Sequence, residues 1–520
     1  LKTNDNAAGR VAKNTGILYI RMAITVFISL YATRLIVNAL GVTDFGIFNV
    51  VAGAIAMLTF LNTAMAGATQ RFISYAEGAG DFNKVKTVFN VSLVLHFIIA
   101  LIIFITLEVV GYFLFDGVLK IPESRVYVAK VVYQFMIIST LIAIISVPYD
   151  AVINAHENML LVAVISIIEA MSRLAIAIYL SHSGYDKLIV YGLLTASLSV
   201  LLLFFRWLYC RASYDECEIK IKKYYDKGSF KEMTVFASWS FLGSSSSMLA
   251  NYGQSIVLNM FFGPVVNAAQ GIAMQVSGQL SVFSDSMQRA LKPVIDKSEG
   301  GGNRQLMLKA SMTGNKLGFF LLIFFSIPVL IEMPYIFKLW LKTVPAFAVI
   351  FCSLQLIRNM IEQLFSTLNS VILAVGNIRK YQSFLFVLNF LPLIFSYILL
   401  KNGFEPYYLY LAFIGYAILL SCVFLYFAHK TAGLSVPQYL SGVVLKSITV
   451  LFILIGLSLL PQLFMAQGLW RTLTVVCINS VATVFIVYFV GFDSSERMQI
   501  NKIADIVKSK IKRPKAVNQA

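Results

Sequence analysis

About fourteen times along the chain, a run of roughly twenty mostly apolar residues is followed by a short break rich in Gly, Pro, Asn and charge. Such a run crosses a bilayer as a helix, because in hydrocarbon every backbone N–H and C=O must be paired within the segment. The runs lie near 14–38, 45–69, 87–114, 128–149, 159–181, 188–208, 234–260, 265–288, 308–332, 346–375, 382–400, 407–428, 442–462 and 471–491. Their combined length accounts for most of the 58% hydrophobic content of the 520 residues, leaving no room for a soluble domain. A β-barrel would alternate over segments of about ten residues, whereas Ile98 to Thr106 is continuously apolar. With only 13% charged residues, disorder, a collagen, a disulfide scaffold and a soluble enzyme are excluded. The sequence therefore predicts an all-α polytopic membrane protein.

The charge is lopsided, with 42 Lys+Arg against 25 Asp+Glu and a formal +17. An even number of spans puts both termini on one face. The clusters Lys220–Lys231, Arg289–Lys309 and Arg497–Lys515 fall on that face as well. The opposite loops carry fewer, including Lys120, Arg125, Lys187, Lys338, Lys342 and Lys401. Lys and Arg accumulate in cytoplasmic loops, so both termini are expected in the cytoplasm, and the basic excess calls for no nucleic acid. The polar opening from Leu1 to Asn14 is not the charged-then-apolar pattern of a cleaved leader. Five cysteines and four histidines are scattered without metal-ligand spacing. Gly300-Gly301-Gly302 leads into Asn-Arg and not a nucleotide-binding lysine. Neither a metal nor a cofactor is expected.

The longest internal polar interval divides the chain into an N-terminal six-helix lobe (1–208), a linker (209–233) and a C-terminal six-helix lobe (234–428). Helices thirteen and fourteen (429–491) and a tail (492–520) follow. A faint repeat crosses the linker. NALGVTDFGIFNV from Asn38 parallels NMFFGPVVNAAQG from Asn259, each helix that follows ending in Gln-Arg (Gln70-Arg71, Gln288-Arg289). A parallel repeat of six helices is a transporter architecture.

Ionisable residues at hydrocarbon depth cost a few kcal/mol each and need a partner or a task. Arg21, Arg34, Arg173 and Arg358 fall within spans, as do Glu108, Glu169, Asp285 and Glu362. Glu169/Arg173 and Arg358/Glu362 are i,i+4 pairs on one helix face. They read equally as self-neutralised pairs or as polar walls of a cavity whose arginine takes an anion. Arg21 has no acid three or four residues away and ranks first for anion contact. Arg34 lies about 220° around the same helix, near its outer end, where it can also snorkel to headgroups. Helices seven and eight are unusually polar. Ser244, Asn251, Gln254, Gln275 and Gln279 there suit either helix–helix adhesion or a cavity lining that meets sugar hydroxyls. Glu169 and Asp285 are candidate coupling carboxylates, since burial favours their protonated forms.

The N-terminal stretch resembles bacterial polysaccharide, or O-antigen-type, flippases of the multidrug/oligosaccharidyl-lipid/polysaccharide exporter superfamily. The resemblance is carried by the turn Leu40-Gly41-Val42-Thr43-Asp44-Phe45-Gly46-Ile47-Phe48-Asn49 and the closing Thr69-Gln70-Arg71-Phe72, and it covers about the first hundred residues. It implies a V-shaped pair of lobes around a cationic cavity. It also implies an undecaprenyl-pyrophosphate-linked oligosaccharide as cargo, flipped by alternating access in polysaccharide and lipopolysaccharide biosynthesis. A bacterial inner-membrane location, a monomer, and a polymerase or other glycan-assembly proteins as partners are implied too. The two extra helices resemble a pair that forms a lipid-tail groove in related flippases. On this reading Arg21, Arg173, Arg358 and Arg34 meet pyrophosphate, which accepts bidentate charge-assisted bonds from guanidinium. The rival expectations are a cation-coupled multidrug antiporter of the same superfamily and a membrane enzyme of glycan assembly. No paired carboxylates in a long outer loop support the enzyme, so a transporter without catalytic residues is expected.

Overall fold

The computed structural model describes residues 2–56, 59–113, 115, 122–340, 344–498 and 501. No strand occurs among them. Ten helices are long and apolar enough to cross a membrane. Two further helical runs, Lys2–Ala56 and Lys227–Gly300, are each broken at one glycine, Gly41 and Gly263. Taking each run as two helices gives α1 (2–40), α2 (42–56 with Thr59–Gly78), α3 (Phe82–Phe113), α4 (Glu123–Ala155), α5 (Met159–His182) and α6 (Lys187–Ser213). The second half comprises α7 (227–262), α8 (264–300), α9 (Arg304–Trp340), α10 (Ala348–Gln363 with Ser366–Val375), α11 (Arg379–Lys401) and α12 (Tyr408–Ala432). Helices α13 (Val436–Phe464) and α14 (Leu469–Gly491) follow. Each expected span has its helix, and most helices extend several residues past the hydrocarbon estimate.

The repeat is written in the backbone. Gly41 (φ 76°, ψ 168°) and Gly263 (φ 71°, ψ −169°) take the same conformation, one essentially restricted to glycine, and so turn one helix into the next. The interval that separates them also separates Glu77-Gly78 from Glu299-Gly300 and Gly80 from Gly302, both of the latter at positive φ. It separates the starts of α3 and α9 as well. This corrects the sequence reading in one detail. The partner of Gln70-Arg71 is Lys292-Pro293, one helical turn beyond Gln288-Arg289. Further on, Ala151-Val152-Ile153-Asn154-Ala155-His156-Glu157-Asn158 parallels Ser370-Val371-Ile372-Leu373-Ala374-Val375-Gly376-Asn377.

Within the first half α1 packs on α5, α2 on α3 and α4, and α4 on α6. The second half repeats these pairs. Asn389 of α11 donates to Ser246 Oγ of α7 at 2.7 Å, and Ser284 of α8 donates to Gly318 O of α9 at 2.9 Å. Gln288 of α8 reaches Gln363 of α10 at 3.2 Å, and Arg358 of α10 lies over the Phe413 ring of α12. On the face away from the termini, Arg125 at the start of α4 binds Asp44 beyond the Gly41 turn (Nε–Oδ1 2.9 Å) and Asp186, the N-cap of α6. Arg125 thus ties three helices together, through Asp44, the acid of the turn motif, and Asp186.

Helix α14 is stapled to α9 at three levels. Arg471 forms a two-pronged pair with Glu332 (2.8 and 2.9 Å), whose side chain is fully buried. Asn479 donates to Phe324 O at 2.8 Å. Buried Lys316 reaches Glu496 at 2.5 Å and Asp493 at 3.4 Å. Two buried ion pairs with these extra bonds resist separation strongly, since removing one partner of such a pair costs about 3–5 kcal/mol. The last two helices therefore belong to the second half.

The contacts that join the halves gather on the face of the two termini. There α2 and α8 cross almost backbone to backbone. A Cβ on Gly78 would lie 2.1 Å from Lys297 O, and one on Gly300 would lie 2.0 Å from Tyr75 O. Lys297 bridges Glu77 (2.7 Å) and Glu157 (3.7 Å), while His156 pairs with Glu77 and with Glu216 of the linker and stacks on Tyr214. The deepest contacts along this seam are Thr15 with Met287 and Tyr19 with Phe283 O (2.8 Å). Beyond them, α1 exposes Phe27 and Tyr31, and α8 exposes Gln275 and Gln279. Among the described residues the halves are thus joined at the terminal face, while α1 and α8 carry exposed side chains toward the other side.

Two outcomes follow from this crossing. Gly78→Val or Gly300→Val places a side chain where backbone now sits, so the terminal ends of the halves must separate. Spin-label distances between the ends of α2 and α8 should lengthen in either variant, and unchanged distances would contradict the crossing. At the same crossing Asp296 of α8 is fully buried and burial raises its pKa to about 6, with Lys292 of its own helix and Arg71 of α2 pulling it back. Glu77, Lys297 and Glu299 are the other charges of this crossing. A carboxyl whose folded value is raised favours the folded, closed form while protonated, and that advantage is lost as pH climbs from about 4 to about 6. Asp296→Asn should therefore gain thermal stability over the parent progressively across that window. A difference that does not change with pH would refute this.

Candidate functional site

Polar groups inside the membrane collect in two cavities, one per half. The first, about 550 Å³, lies among α2, α4, α5 and α6. Two ion pairs cross its wall. Glu169 accepts from Arg173 at 2.9 and 3.2 Å, and Asp150 accepts from Arg206 Nε at 2.8 Å. Gln70, Asn154, Thr195 and Ser199 complete the polar lining. The expected pair on α5 is therefore real and does line a cavity, with Arg173 half-exposed. Asp150 and Arg206 were not singled out from the sequence. Both sit at the ends of their estimated spans, and only the added helix length brings them together.

The second cavity, about 760 Å³, lies among α7, α8, α10, α11 and α12. Its lining is uncharged, with amides and hydroxyls set among apolar side chains. Ser244, Ser247 and Asn251 line it, as does Asn369, which accepts from Tyr381 Oη at 2.7 Å. Asn389 accepts from Tyr416 and donates to Ser246. Gly243 lets the Gln382 amide lie against α7, where a Cβ would push it aside. By the repeat, Asn369 occupies the position of Asp150. One half thus carries an ion-paired cavity and the other an amide-and-hydroxyl cavity.

The remaining expected residues scatter. Gln254 is fully buried with neither amide atom partnered, away from the lining. Gln275 and Gln279 share an exposed stripe of α8 with Asp285 and Arg289, facing no lining of either cavity. Arg358 is buried, bound through Nε to Glu362 at 2.8 Å and stacked on Phe413, with its Nη1 unpartnered. Arg21 is half-buried, its Nε enclosed and unpartnered, and it feels the charges of Arg289 and Glu169. The side chain of Arg34 lies outside the described residues. Glu108 pairs with Gln134 at 3.3 Å on the exposed surface of α3 and α4. Among the described residues no group of three His, Cys, Asp or Glu could hold a metal ion.

A third hollow differs in kind. About 710 Å³ in volume, it is walled by Phe320, Phe324, Phe325, Phe485 and Phe489 of α9 and α14, and it reaches Tyr19 of α1 and Phe283 of α8. Its lining is almost wholly apolar and aromatic. Arg21 stands two residues from Tyr19, and Asp285 and Arg289 follow Phe283 on α8. An apolar groove thus reaches the two helices, α1 and α8, that carry Arg21, Asp285 and Arg289, none of which lines it.

Comparison with known proteins agrees with this architecture. The MatE family model matches residues 19–179. No curated protein matches the chain. Among solved structures, an outward-facing multidrug resistance MATE family transporter of the MOP superfamily has a TM-score of 0.69 at 14% identity, covering 83% of this chain and 96% of that one. MATE in the straight conformation has a TM-score of 0.68 at 15% identity, covering 82% and 96%. A MOP superfamily transporter from Pyrococcus furiosus, described as having a binding pocket of reverse polarity that suggests a different function, has a TM-score of 0.66 at 14% identity, covering 82% and 96%. The chain has a MATE-like fold, a twelve-helix core with two further helices, and its first five helices carry the MatE match.

Proposed function

We propose that the protein is a membrane transporter that works by alternating access between its two halves, and that its cargo is an amphipathic anion of the lipid-linked oligosaccharide class. The observation that carries the cargo is the apolar groove of α9 and α14, which reaches Tyr19 of α1 and Phe283 of α8, the two helices that bear Arg21 and Arg289. A lipid tail fits the groove, and a pyrophosphate suits the Arg21 guanidinium, whose Nε is unpartnered. The other intramembrane arginines, Arg173, Arg206 and Arg358, are already neutralised by Glu169, Asp150 and Glu362. The amide-and-hydroxyl cavity of the second half offers donors and acceptors to sugar. In this reading the terminal face is cytoplasmic, as its basic clusters favour, and the membrane is the bacterial inner membrane. The chain acts as a monomer that passes repeat units to a polymerase. An inside-negative potential assists outward movement of an anion by about 2.3 kcal/mol per charge per 100 mV.

The second reading is a cation-coupled multidrug antiporter. The comparisons favour it over the flippase, since the structures of this fold named above include a multidrug resistance transporter. The carboxylates Asp150 and Glu169 in the first cavity would be its coupling groups. Against it stands the pairing of both with arginines. The fold alone does not fix cargo charge, because the Pyrococcus furiosus protein is described with reversed pocket polarity.

Leaflet-specific labelling of lipid-linked intermediates in a deletion strain separates the two. The flippase reading expects finished repeat units held on the cytoplasmic face, a defect restored by the parent and not by Arg21→Ala. Normal outward exposure with loss of drug resistance alone would overturn it in favour of the antiporter.

A further inference from the structure

A cavity of about 970 Å³ opens on the seam between the halves at the terminal face, apart from both intramembrane cavities. The first half contributes Arg71, Tyr75 and Lys84, and the second contributes Lys231, Trp239 and Arg379. Arg71 forms the fixed back wall. It is 6% exposed, donates to Ala374 O at 2.8 and 3.3 Å, and packs on the rings of Phe72, Tyr75 and Phe236. Its guanidinium occupies the space a Cβ on Gly376 would need, so the chain keeps glycine at φ 95° there to admit it. Lys84 donates to Ser229 Oγ across the seam at 2.8 Å. Arg379 lies over the Trp239 ring at 5.6 Å.

Four cations line the cavity with two carboxylates, Asp81 and Glu232, and behind the wall Arg71 is balanced by Asp296 and Glu299, which leaves Lys84, Lys231 and Arg379 as the cations of the rim. Asp81 is already engaged by the backbone N–H of Lys84 at 2.9 Å, where it caps α3. Below the cationic rim the wall turns apolar and open, with Val235 48% and Tyr75 37% exposed. A half-buried tryptophan and a tyrosine mark the level where a membrane meets water. Basic pockets between helices at that level bind anionic headgroups, and guanidinium and ammonium groups from two sides match a phosphate. We propose that this seam binds an anionic phospholipid through its headgroup phosphate, with the acyl chains along Val235 and Trp239. Because the ligand touches both halves, it favours the state in which the terminal face is closed. The site is separate from the cargo path and stands whichever cargo is carried.

Trp239 reports on the site directly. With Trp207, Trp340 and Trp470 replaced by Phe, the full chain is placed in nanodiscs of phosphatidylcholine with or without a minority of phosphatidylglycerol. Phosphatidylglycerol should produce a saturable change in Trp239 emission, and native mass spectrometry should retain it on the protein. Lys231→Gln, which leaves the Arg379–Trp239 stack in place, should weaken both readouts about tenfold, the loss of one charge-assisted contact. Lys231→Arg should restore them. An unchanged Trp239 signal, or equal responses in parent and Lys231→Gln, would overturn the site. If inorganic phosphate in pure phosphatidylcholine nanodiscs gives the same change, a water-soluble phosphate compound is the ligand and the phospholipid assignment fails.

Discussion

The architecture depends on one close approach, the crossing of α2 and α8 where Gly78 and Gly300 let two helix backbones touch. Within a membrane, helices gain little from burying apolar side chains against each other, so small residues that admit backbone contact decide where they meet. Here the same Glu-Gly-x-Gly segment is used twice, once in each half. The pseudo-symmetry makes the crossing reciprocal, each glycine receiving the carbonyl of the other helix. Lys297, Glu77, Glu157 and His156 then tie the crossing electrostatically to the loop after α4 and to the linker. Among the described residues these contacts lie at one face, and α1 and α8 carry exposed side chains toward the other.

Above that crossing the two halves share a skeleton and differ in chemistry. The same helix pairs and the same glycine turn recur, yet Asp150 in one half is replaced by Asn369 in the other. The first cavity spends its charges on internal pairing, Asp150 with Arg206 and Glu169 with Arg173. Burying such charges is costly without partners, so the pairing makes the cavity stable but leaves little net charge to attract cargo. Compensation is incomplete nearer the seam, at Arg21, whose Nε is unpartnered and which feels the charge of Arg289. The last two helices add the apolar groove and, pinned to α9 by Arg471, Asn479 and Glu496, carry it with the second half. Tyr19 reaches the groove from the first half. Relative motion of the halves must therefore change the shape of the groove's inner end.

Much of this fold is legible in the sequence, because span length is set by bilayer thickness and Gly41 and Gly263 punctuate otherwise continuous apolar runs. The i,i+4 pairs are legible too, since they depend only on the helical repeat. What escaped reading depends on neighbours. Arg206 meets Asp150 only when α4 and α6 lie side by side and extend past the hydrocarbon. Asp44 belongs to a recognisable motif, yet its task, holding Arg125 beside Asp186, needs three helices in place. Gln254 shares its helix with Asn251, but the rotation between them buries one and turns the other into the cavity. The Glu-Gly-x-Gly repeat was present in the residues throughout. It was hidden by the more conspicuous Gln-Arg match, one turn out of register.

The central claim is that the halves are closed at the terminal face and open on the other, with the polar stripe of α8 lining the opening. Accessibility of a single cysteine at Gln279, in a background without the native cysteines, tests this directly with a membrane-impermeant thiol reagent added from either side of sealed proteoliposomes. Labelling from the side opposite the termini, with protection from the terminal side, is the predicted result. Faster labelling from the terminal side, or none from the opposite side, would contradict the account.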